Sequence, residues 1–123
     1  MSYLSLGDVP ILLMPGELFP ELAKGGFAEA GLAAAPEKRN PRTLQEIAGR
    51  DDLLIFGLAN DMIGYIVPPN DFFVHPSRPY AERGVDAFGR SHYEETNSMG
   101  PDTAVSVAAA AERLFECVRN GER

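Results

Sequence analysis

Ile11-Leu12-Leu13-Met14 is an unbroken apolar run that stops at Pro15-Gly16. A run this short, with no polar residue at alternate positions, reads as a strand buried on both faces, and such a strand needs layers packed above and below it. Tyr3-Leu4-Ser5-Leu6 precedes it, and the Gly7-Asp8 step between the two suits the tight turn of a β-hairpin. Pro10 has no amide donor, so it belongs near the start of the second strand or where no ladder bond is required. Leu53-Leu54-Ile55-Phe56-Gly57-Leu58 reads as a second buried strand, with Asn60-Asp61 at its end and a turn leading into residues 63–67.

Helical signals lie between and after these strands. Residues 18–24 suit a short helix, because Pro20 falls in the first turn, where its missing amide costs little, and Gly25-Gly26 follows. Residues 27–35 are Ala-rich and read as a second helical piece. Thr43-Leu44-Gln45-Glu46 has the spacing of a capping box, so a brief helix should start there and end near Gly49. Ala104, Ala108, Ala111, Phe115 and Val118 recur at helical spacing, with Pro101 in the first turn, Asp102 at the positive N-terminal end and Gly121 ending the helix. Residues 68–101 hold five prolines and no periodicity, a length uncommon for an idle loop, so this segment is functional or packs against something. The element order ββ(α)αββα predicts an α/β fold in which a mixed β-sheet with an N-terminal β-hairpin is layered with short helices and a C-terminal helix, all within one domain over residues 1–123.

Composition narrows the function classes. A chain of 123 residues with 45% hydrophobic content is long enough to bury a core without staples. Eleven Lys+Arg against eighteen Asp+Glu give a net charge of -7, with no basic stripe to neutralise phosphates, so nucleic acid is not expected as a partner. The one cysteine, Cys117, excludes an intramolecular disulfide and a Cys-rich zinc site. No apolar run approaches the roughly 20 residues of a transmembrane helix, and the first residues lack a signal-peptide layout, which makes a cytoplasmic location the default expectation.

The candidate chemistry collects at two strand ends. Glu17 follows a buried strand and a glycine, which would hold its carboxylate at the mouth of a sheet; the alternative is a helix-dipole role at the start of the next helix. Asn60, Asp61 and Tyr65 share that edge if the two strands are parallel neighbours. Asn and Asp are also common turn residues, and a strand tyrosine is commonly half-buried packing. His75 and His92 show neither HExxH spacing nor a helical pair; His75 reads as exposed, and His92 either contacts a ligand or orders its loop. No GxSxG elbow and no glycine-rich phosphate loop occurs, which disfavours a self-contained serine hydrolase.

Three blocks in order carry a family resemblance: residues 4–14 running into Pro15-Gly16-Glu17, then Gly57-Leu58-Ala59-Asn60-Asp61-Met62-Ile63-Gly64-Tyr65-Ile66, then Tyr93-Glu94-Glu95-Thr96-Asn97-Ser98-Met99-Gly100-Pro101 before the last helix. Together they resemble the C-terminal part of the catalytic domain of the neutral/alkaline non-lysosomal ceramidases. The resemblance implies that Glu17 and Tyr65 are zinc ligands in a zinc-dependent hydrolase of N-acyl lipid amides. It also implies that the two histidine ligands come from an upstream catalytic region or a partner chain, so that the segment by itself is inactive. Two readings of another class stand beside it: a non-catalytic α/β module that uses residues 68–101 for protein contacts, and a homo-oligomer built by pairing exposed strand edges.

Overall fold

The computed structural model describes residues 1–26 and 31–121. Strands β1 (Ser2–Leu6) and β2 (Val9–Leu13) form the expected antiparallel hairpin, with Leu6 opposite Val9 and Gly7 at φ 61° in the turn. Pro10 lies opposite Ser5, one step in from the pair that flanks the two-residue turn. Antiparallel pairs alternate between bonded and unbonded, so the proline sits where its missing amide is not required by β1.

The chain bends at Pro15-Gly16 into a two-residue strand β3 (Glu17–Leu18), then enters helix α1 (Pro20–Lys24). The helix is therefore shorter than its apolar pattern suggests, because Leu18 is drawn into a strand. Of the helical piece expected over residues 27–35, residues 27–30 lie outside the described residues, and residues 31–35 form turns rather than helix. Helix α2 (Leu44–Ala48) has the predicted capping box, with the Glu46 amide donating to Thr43 Oγ1 at 3.2 Å and the Thr43 amide to Glu46 Oε2 at 2.8 Å. Gly49 closes it in the left-handed conformation.

Strand β4 (Leu54–Phe56) returns parallel to β2, and strand β5 (Tyr65–Ile66) runs parallel to β3. The first sheet thus has the order β1-β2-β4. Backbone bonds bridge the two pairs: Met14 donates to the Phe56 carbonyl at 2.9 Å, Leu58 to Gly16 at 3.1 Å, Ile63 to Pro15 at 2.7 Å and Glu17 to Gly64 at 3.0 Å. One strand pair is handed on to the next across the Pro15-Gly16 bend.

Residues 68–101 acquire structure of their own: a 3₁₀ turn Pro69–Asp71, an antiparallel pair of β6 (Gly84–Val85) with β7 (Ser91–His92), and a 3₁₀ turn Glu94–Asn97. Helix α3 (Thr103–Asn120) closes the fold; Asp102 stands at its N-cap without a side-chain cap bond, and Pro101 lies outside the helix. Gly121 ends it as expected. Among the described residues no helix is long and apolar enough to cross a membrane.

The core lies between one face of the β1-β2-β4 sheet and the helices. Leu12, Met14, Leu22, Leu44, Ile47, Leu53 and Ile66 pack with Ala104, Ala108, Ala111 and Phe115, and Tyr3 meets the Phe115 ring edge-on at 5.3 Å. The small alanines let α3 approach closely. The expectation of a fully buried strand over residues 53–58 is corrected: Leu54 and Phe56 are 45% and 52% exposed, because β4 is an edge strand and only Leu53 and Ile55 turn to the core.

Candidate functional site at the paired ends of two short strands

Glu17 and Tyr65 are direct partners in the β3–β5 register. Paired residues of adjacent strands project their side chains to the same face, so the carboxylate and the phenol stand side by side. Glycine permits this arrangement. A Cβ on Gly16 would lie 2.7 Å from the Gly64 carbonyl oxygen, and one on Gly64, whose φ is +86°, would fall on the Asn97 carbonyl. Both positions bring backbone against backbone at the root of the site.

The Tyr65 hydroxyl lies 2.9 Å from the Tyr93 hydroxyl, and the two rings meet edge to face at 5.7 Å. Phe19 packs edge-on against Tyr65 from the other side at 6.5 Å. The bond to Tyr93, partial burial and the negative charge of Glu17 together push the Tyr65 phenol up to about 12. The phenol is therefore protonated at neutral pH, and only a strong local positive charge would draw out its ionised form.

An open groove of about 550 Å³ begins at Glu17 and is walled by Leu18, Pro20, Ala23, Ile55 and Leu58. Its walls are more apolar than polar. A chain of methylenes fits such a surface, with the Glu17 carboxylate at its polar end.

The other sequence candidates are placed elsewhere. Asn60 donates to Ser2 Oγ at 3.2 Å, tying the loop after β4 to the first strand, and Asp61 Oδ1 accepts from the Met62 amide at 2.8 Å. The Asp61 bond is that of a turn residue, whereas the Asn60 bond joins segments 58 positions apart. His92 is buried, with Nδ1 at 2.7 Å from Glu95 Oε1 and Nε2 at 3.2 Å from Asp86 Oδ2, so it orders its loop and has no free nitrogen for a ligand. His75 is half-buried rather than exposed, because its Nδ1 accepts from the Ser77 and Arg78 amides and draws the ring onto its own loop.

His92 belongs to a polar cluster that sequence reasoning missed. Arg90 donates to Asp86 Oδ2 at 2.7 Å, to Asp71 Oδ1 at 2.8 Å and to the Leu32 carbonyl at 2.6 Å. Burial opposes the charge on Asp86, but the Arg90 amide, His92, the Arg90 guanidinium and the Phe88 amide outweigh it and hold the carboxyl well below the usual carboxylate range. Burial likewise opposes the charge on His92, and Glu95 and Asp86 outweigh it, so its pKa is raised. Tyr93 was missed as a site residue as well; its signal was its place next to His92, which fixes the loop that delivers it.

Glu17 and Tyr65 offer two oxygen donors. Among the described residues no group of three or more His, Cys, Asp or Glu side chains is placed to hold a metal ion. Two oxygen donors are fewer than the four ligands of a usual zinc site. No protein-family model, no curated protein and no solved structure matches the chain.

Proposed function

We propose that this chain is one part of a zinc-dependent hydrolase of N-acyl lipid amides, ceramidase-like in kind, and that it contributes Glu17 and Tyr65 to a metal site completed by an upstream region or a partner chain. The observation that carries the reading is the direct β3–β5 pairing of Glu17 with Tyr65. Residues 48 positions apart, both singled out by the family resemblance, stand as neighbours with their oxygens on one side. The apolar groove that starts at Glu17 supports an acyl chain as the non-reacting part of the substrate.

A bound zinc in such a site supplies an activated water and a polarised amide carbonyl. Within this chain, Glu17 would provide a carboxylate oxygen, and Tyr65 must release its proton before it can provide a phenolate. Tyr93 is the neighbour that holds the Tyr65 hydroxyl in place. With two donors only, the chain alone should hold zinc weakly and hydrolyse nothing.

The test is complementation. The chain is mixed with a separate polypeptide carrying the upstream part of a ceramidase catalytic domain, and hydrolysis of a fluorogenic N-acyl amide is followed with zinc present. Activity that requires both polypeptides and disappears with Glu17→Ala or Tyr65→Phe supports the reading. Activity indifferent to both substitutions, no activity in the mixture, or tight zinc binding with hydrolysis by this chain alone would overturn it.

A further inference from the structure

The face of the β1-β2-β4 sheet that turns away from the helices is apolar across all three strands except at Ser2, which stands opposite Leu13 and whose hydroxyl accepts from Asn60. The register places Leu4 beside Ile11 and Ile11 beside Leu54, Leu6 beside Val9, and Leu13 beside Phe56. Alternation along a strand therefore assigns Leu4, Leu6, Val9, Ile11, Leu13, Leu54 and Phe56 to one side, opposite Tyr3, Leu12 and Ile55, which pack into the core. Five of these side chains are substantially exposed, Leu6 to 74%.

We propose that this face is the contact surface of a homodimer, packed sheet to sheet against the same face of a second copy. Area is the first argument. Five half-exposed side chains of this size present on the order of 450 Å² of apolar surface, the size of the largest patch on a typical monomer, which is often functional. A standard interface buries about 800 Å² per partner, of which roughly 60% is apolar, or about 480 Å². The face is thus the size a stable dimer of two such chains needs.

Charge is the second argument. The chain carries a net charge of -7, yet none of the seven side chains on this face is ionisable. Two copies meeting through these seven side chains bury no charge. Ile11 lies on the central strand between Leu4 and Leu54 and is itself only 8% exposed, so an isologous contact about a twofold axis there would be made by the five exposed side chains around it. Sheets packed this way lie about 10 Å apart with interdigitated side chains.

This inference is independent of the zinc proposal, since Glu17 and Tyr65 belong to the other strand pair. Light scattering coupled to size exclusion should give the full 123-residue chain twice its monomer mass. Leu6→Lys and Phe56→Lys replace exposed side chains, so far-UV circular dichroism should be unchanged while the dimer dissociation constant rises roughly tenfold or more. Met99→Lys, a change at an apolar side chain outside this face that is also 74% exposed, should leave the dimer intact. A wild-type chain that is monomeric at the highest concentration reached would overturn the proposal and leave the face to some other occupant. So would a dimer that survives both lysine substitutions, or one that Met99→Lys disrupts.

Discussion

The backbone carbonyl of Asn97 stands where a Cβ on Gly64 would be. That contact presses the 3₁₀ turn Glu94–Asn97 onto strand β5, one residue before Tyr65, and so sets Tyr93 against the Tyr65 hydroxyl. Glycine at this position is a condition of the site.

Gly64→Ala is expected to destabilise the chain by at least about 2 kcal/mol, since the left-handed conformation alone costs a side chain about 1–2 kcal/mol and the backbone of the turn must also move. A urea titration followed by circular dichroism reads the loss. The substitution should at the same time uncouple Tyr93 from Tyr65, lowering the pH at which Tyr65 ionises. An alanine variant with wild-type stability and wild-type tyrosine titration would show that the close approach has no structural weight.

The parts of this fold that could be read from residues alone are those with local causes. Gly7-Asp8 announces a hairpin, Thr43 and Glu46 announce a helix start, and the 104-108-111-115 spacing announces α3, because each depends on neighbours a few residues away. The nearness of Glu17 and Tyr65 was legible as a consequence of two adjacent parallel strands. Their register was not, since it depends on backbone contacts at Gly16 and Gly64 between distant segments. The exposure of Leu54 and Phe56 was hidden for a different reason: when both faces of a strand carry apolar side chains, alternation leaves no trace in the residue pattern. The Asp86-Arg90-His92-Glu95 cluster was invisible because its meaning comes from Asp71 and the Leu32 carbonyl, 19 and 58 positions from Arg90.

Tyr65 should ionise late. Its phenol is held up to about 12 by Tyr93, by burial and by the charge of Glu17, above the unfolded value of about 10. The folded state thus retains a proton that the unfolded chain gives up, so this contribution to stability is complete below about pH 10 and is lost as the pH rises toward 12. Tyrosinate absorbance should contain a late phase that Tyr65→Phe removes and Tyr93→Phe moves to lower pH. If Tyr65→Phe leaves the late phase in place, the phase belongs to another tyrosine and the hydrogen-bond argument is wrong.

The His92 cluster sets a pH window for stability. Both imidazole nitrogens face carboxylate oxygens, Asp86 on one side and Glu95 on the other, with Asp71 and Arg90 around them, so the ring is best matched as an imidazolium that donates twice. Its pKa is raised above the unfolded value of about 6.5. The resulting stability is complete below about 6.5 and is lost as the pH rises through the folded value. Asp86 behaves in the opposite sense: its pKa is depressed, so its contribution is present above about 3.9 and is lost as the pH falls through the folded value. Stability should form a plateau between about pH 4 and 6.5 and decline on both sides. The urea midpoint measured across that range checks it, and His92→Gln should flatten the alkaline decline because no group then takes up the proton shared by Asp86 and Glu95. A wild-type midpoint that does not fall between pH 6 and 9, roughly the interval in which an ordinary or raised histidine titrates, would mean that His92 is neutral in the fold and that one of its two carboxylate neighbours carries the proton instead.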